Sequence, residues 1–249
     1  MDLGGAQPLP PAAIGFRSEF LDFQRGIRVG NLEENERITR LLKLALETRY
    51  GEAFVTERWG RGVYWQWIGY LARANRAAKP ISSDSSFGCS KFFLMIDTGQ
   101  SLFKCGLQVE RGYRRAPREH RRCLLRSDWD WHRLLKALAP NGPLESDLER
   151  LVRREGFRLH AGSWEAEAEQ ISGSGFPGAA RLRSLLEAAP ANRWAGFQIY
   201  HPMGKQEVRS ATGADLVGSI LAVFREVTPA MNLCMQIPLQ ERTGEGTET

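Results

Sequence analysis

The chain has 249 residues, 42% hydrophobic and 25% charged, with a mean hydropathy of −0.37 and a formal charge of +5. That composition fits a globular protein with a sizeable core. No apolar run approaches the roughly 20 residues of a membrane span, and no basic start followed by an apolar stretch opens the chain, so a cytoplasmic protein with no membrane partner is expected.

In chain order, residues 1–15 are Gly-, Pro- and Ala-rich without periodicity and are expected to be disordered. A short helix is predicted from Arg17 to Gln24, with Phe16, Phe20 and Phe23 on one side. A second is predicted after Asn31, with Glu34 three residues on as in a capping box. Ile38, Leu41, Leu42, Ala45 and Leu46 form its stripe, and Gly51 its end. Residues 62–71, rich in aromatics, read as a strand, and 79–88, with Pro, Ser and Gly, as a loop. Phe92 to Val109 alternate on either side of Asp97-Thr98-Gly99, which predicts a central β-hairpin over about 91–110 covered by amphipathic helices. Ser127 and Asp130 mark a helix head followed by Trp131, Leu134, Leu135 and Leu138. Another helix carries Leu144, Leu148, Leu151 and Val152. Residues 157–164 read as a strand, 165–178 as a surface excursion, and 182–186 as a short helix. A strand at 194–200, a helix at 214–226 and a last strand at 232–239 follow, and 240–249 reads as a disordered tail. Helices and strands arrive in irregular order, which favours α+β with a mainly antiparallel sheet, as one domain over 16–239.

Asp97-Thr98-Gly99 is also the way an aspartic protease presents its carboxylate. That chemistry needs two carboxylates sharing a proton. The chain has one such motif, and the hairpin explains more of the surrounding residues.

The strongest functional feature is the segment 111–126. It holds Arg111, Arg114, Arg115, Arg118, Arg121, Arg122 and Arg126 against the single acid Glu119, a net charge of +6, while the rest of the chain sums to −1. Guanidinium groups gathered in one place repel one another, and an anionic partner relieves that repulsion. Arginine also presents a planar fork to phosphate and stacks on bases, and Tyr113 adds stacking surface. The alternative is a solvated loop whose arginines pair with acids such as Glu145, Asp147 and Glu149. The leading expectation is a nucleic-acid or polyanion-binding accessory domain. A hydrolase or nuclease acting on a phosphorylated or nucleic-acid substrate is the competing class, with Asp97, Glu110 and His201 as candidate catalytic residues. A protein-interaction module, with a protein partner, is the third and requires an exposed apolar patch.

No cofactor or metal is expected. Gly173 to Gly178 satisfy a G-x-G-x-x-G pattern but lack the preceding apolar strand. Cys89, Cys105 and Cys123 lack paired-ligand spacing, and the four cysteines, with Cys234, read as reduced thiols. Trp59, Tyr64, Trp65, Trp67 and Tyr70 are either core or a surface for a flat ligand.

Overall fold

A computed structural model describes residues 14–79, 87–115, 122–164 and 167–242. The fold is α+β, built on a nine-stranded antiparallel sheet. The strands are β1 (Leu21–Asp22), β2 (Gly26–Arg28), β3 (Phe54–Arg61), β4 (Tyr64–Ala72), β5 (Ser90–Asp97), β6 (Leu102–Gly112), β7 (Arg158–Ser163), β8 (Glu167–Ser172) and β9 (Ala195–Gly204). Their order is β1-β2-β4-β5-β6-β9-β7-β8, with β3 on the other flank of β4. The helices are α1 (Ile38–Tyr50), α2 (Arg73–Ala77), α3 (Asp130–Ala137), α4 (Pro143–Arg154), α5 (Ala179–Ala188), α6 (Lys205–Ser210) and α7 (Gly213–Cys234).

The expected hairpin lies at the centre of the sheet. Phe92 pairs with Leu107 and Asp97 with Leu102, and β9 then flanks β6. Alternation along these strands separates two faces. Phe92, Leu94, Ile96, Phe103, Cys105, Leu107, Val109, Phe197 and Ile199 join one apolar core with residues of α1, α3, α4, α5 and α7. The Phe92 ring stacks on Phe224 of α7 at 4.6 Å. α7 starts at a capping box, in which Asp215 N donates to Thr212 Oγ1 and Thr212 N to the Asp215 carboxylate. On length and composition α7 could cross a membrane, but half of its apolar window is buried where it packs on the sheet.

Several elements differ from the sequence reading. Residues 17–24 form a 3-10 turn and β1, because Leu21 and Asp22 pair with Ile27 and Gly26. The capping box lies at Glu33 and Glu36, and α1 starts only at Ile38. The excursion after β7 contains β8, paired along all of β7. The expected last strand is the end of α7 and an irregular tail. Of the ends expected to be disordered, 1–13 and 243–249 lie outside the described residues. Gly15 N, however, donates to Asn35 O, and Arg242 N to Arg49 O.

Candidate anion-binding site

β6 carries the chain into the arginine segment. A bulge between Glu110 and Gly112 shifts its register against β9 at Arg111. Gly112 then adopts φ +68°, and a Cβ there would lie 2.7 Å from Cys123 Sγ and from the Phe87 ring, so the position suits only glycine. Cys123 N donates to Tyr113 O at 2.7 Å, which sets Arg114 and Arg122 on the two sides of a neck. Arg115 N donates to Ala191 O, also at 2.7 Å, tying the outgoing chain to the turn before β9.

A cavity of about 550 Å³ opens beside this neck. Cys123, Leu124, Leu125, Trp131, Leu135, Leu186 and Ala191 supply apolar wall, and Arg111, Arg114, Arg122, His132 and Glu187 the polar groups. α3 places Trp131, His132 and Leu135 there, and α5 places Leu186 and Glu187.

Arg111 is 3% exposed. Its Nε donates to Gly112 O, Nη1 to Ala189 O at 2.9 Å, and Nη2 to Pro190 O and Arg193 O at 2.6 and 2.8 Å. These acceptors are neutral amide carbonyls, so among the described residues the charge is solvated but not cancelled. Burial and the neighbouring Arg114 lower the guanidinium to about 10, which still leaves it cationic at neutral pH. Burial and Arg114 also hold His132 below its ordinary value, as a neutral imidazole.

Arg114, Arg115, Arg122 and Arg126 are exposed, and among the described residues none of them forms an ion pair with a carboxylate. The acids named as alternative partners have other roles or positions. Glu145 accepts from Asn141 N and Ala179 N, and Glu149 pairs with Arg153. Asp147 forms no ion pair among the described residues. Glu187, the one carboxylate among the described residues that line the cavity, is held by Arg183 one turn back at 2.9 Å. Arg118 and Arg121 lie outside the described residues. Two residues expected at the contact are not on the surface: Arg111 is the buried clamp just described, and Tyr113 is buried edge-on against Trp194.

The candidate catalytic residues are not brought together. Asp97 and Glu110 share the face of the sheet opposite the core. Asp97 pairs with Leu102, eight positions before Glu110, which is roughly 25 Å along the strand. Each carboxylate has its own lysine. Lys104 Nζ is 2.6 Å from Asp97 and 4.9 Å from the Tyr200 ring centroid. Lys91 Nζ lies 2.8 Å from Glu110 and 3.1 Å from Glu57, over the Trp67 ring. Burial alone would lower Lys91, but Glu110 and Glu57 outweigh it and hold the ammonium above its usual range. Trp194 Nε1 donates to Glu110, and Trp67 Nε1 and Gln198 Nε2 both donate to Gln108 Oε1. His201 neighbours Cys105 and packs edge-on against Phe157, on the core side.

Of the aromatic cluster, Tyr70 is core, Tyr64 and Trp65 lie under Arg25 and Arg58, and Trp59 is 68% exposed. The described large exposed apolar residues come from three stretches: Trp59 from β3, Leu124 from the segment after Cys123, and Leu233 and Ile237 from the end of α7 and the tail that follows it. Among the described residues no three of His, Cys, Asp and Glu gather to hold a metal ion, and all four cysteines are buried free thiols. Trp131, His132, Leu135 and Leu186 were not assigned to the site from sequence; only their place on helices after the arginine segment hinted at it. No protein-family model and no curated protein matches the chain.

Proposed function

We propose that the protein binds a nucleic acid or similar polyanion through Arg114, Arg115, Arg122 and Arg126. One observation carries this reading. The lysines of the sheet are each neutralised by carboxylates within 3.1 Å, whereas the arginines around the cavity have none among the described residues, and one of them is buried. Uncompensated like charges held close together cost free energy, and a polyanion recovers it. Arginine forks suit phosphate oxygens in particular.

The test is retention on an immobilised polyanion over a salt gradient. The wild type is expected to bind at low ionic strength and to elute with rising salt. The variant with Arg114, Arg115, Arg122 and Arg126 all changed to Gln is expected to flow through while keeping its fold. Equal retention of the two proteins would overturn the reading.

A further inference from the structure

The cavity beside the arginines is too large and too apolar to serve phosphate alone. We propose that it receives an unpaired nucleobase, with the adjoining phosphates held by Arg114 and Arg122, so that the chain prefers single strands to duplex. This inference rests on the polyanion reading above and names the form of the polyanion.

Its volume of about 550 Å³ falls within the range of small-molecule sites. A base needs apolar surface for its faces and polar groups for its edge. Leu125, Leu135 and Leu186 offer the former, and His132 and Glu187 the latter. Leu124, 62% exposed at the same cavity, is an otherwise unexplained apolar side chain that a bound base would cover. Buried Arg111 holds the interior at positive potential without spending a carboxylate, which suits the anionic backbone next to the base. The charge also continues past the cavity. Arg115 and Arg126 do not line it, so they are placed to meet phosphates further along a strand. That favours a polymer over a free mononucleotide. A base inside a duplex is stacked and paired and reaches such a cavity only after extrusion, at a cost of a few kcal/mol.

The test uses the full chain and labelled oligonucleotides of about twelve nucleotides, within the range of single-strand sites. Three forms are compared by fluorescence anisotropy at low salt: mixed-sequence single strand, its duplex, and a single strand with abasic positions throughout. The intact single strand is expected to bind about tenfold more tightly than the abasic one, the size of effect that stacking of a base produces, and more tightly than the duplex. Ala191→Trp, an exposed position on the cavity wall, is expected to remove the preference for intact over abasic strand and to leave inorganic polyphosphate binding unchanged. Equal affinity for intact and abasic strands, tighter binding of duplex, or a preference that survives Ala191→Trp would overturn the base site while leaving the arginine contact standing. Tighter binding of free mononucleotide than of strand would also overturn it. Failure of all forms, polyphosphate included, would remove the polyanion reading itself.

Discussion

The Nη2 of Arg111 lies 2.6 Å from the carbonyl oxygen of Pro190, and this contact links a strand of the sheet to the wall of the cavity. Together with the bonds to Ala189 and Arg193 it clamps the turn that leads into β9. Arg111→Lys keeps the charge but cannot reach several carbonyls at once. We expect it to lower stability by at least about 2 kcal/mol, given that hydrogen bonds from a charged donor contribute about 1.5–3 kcal/mol each. Urea denaturation reads this directly, and an unchanged midpoint would contradict the clamp.

Asp130 supports the site from behind. Expected with Ser127 as a capping-box pair at a helix head, it is instead buried, accepting from Ser90 N, Asn75 Nδ2 and Gln236 N and lying 2.9 Å from the equally buried Lys79. It joins β5, α2, α3 and the C-terminal tail. Asp130→Ala leaves Lys79 as an uncompensated buried charge, and a loss of about 3–5 kcal/mol is expected. Adding Lys79→Met should recover part of that loss. A double variant no more stable than the single one would show that the charge is not the cause.

Gly213 sets the seat of α7. A Cβ there would come 1.5 Å from the Phe16 carbonyl oxygen, a backbone atom with little room to yield. Gly213→Ala is therefore expected to cost about 1–3 kcal/mol, although alanine is otherwise the better helix residue. A thermal midpoint that rises on this substitution would contradict the packing described.

Much of this architecture was legible in the sequence. Alternation around Asp97-Thr98-Gly99 marked the central hairpin, because its two arms fill opposite faces with consistent chemistry. The stripes of α4 and α7 were equally plain. β1, β2 and β3 were not: β1 and β2 are only two and three residues long, too short to show alternation, and β3, although it forms a hairpin with the adjacent β4, is largely exposed and mostly polar. β8 was hidden by its acidic, alanine-containing sequence, which its pairing with β7 overrides. At the site, the arginine run was visible, but not the division of labour within it. Nothing local separates Arg111, bound to carbonyls from residues 78 to 82 positions away, from Arg114. The apolar wall comes from α3 and α5, and only the fold brings them to the arginines.

Stability should also depend on pH in a direction set by the histidines. His132, His160 and His201 all lie below the ordinary 6.5, in each case chiefly through burial, with Arg114 and Lys104 adding to the first two. The unfolded chain protonates them near 6.5, so below that pH it binds more protons than the folded chain. Stability is then complete above about pH 6.5 and declines as pH falls through 6.5 towards the folded-state values. The urea midpoint is expected to drop between pH 7.5 and 5.5, and less steeply in His160→Gln. A profile that rises towards acid would contradict the neutral burial of these rings.

The most direct test of the account is the salt dependence of oligonucleotide binding by the wild type and by Arg114→Gln/Arg122→Gln. The account predicts affinity that falls as a power of salt concentration, with the exponent reduced by roughly one for each arginine removed. An identical salt dependence and affinity in the two proteins, or no binding by the wild type at low ionic strength, would contradict it.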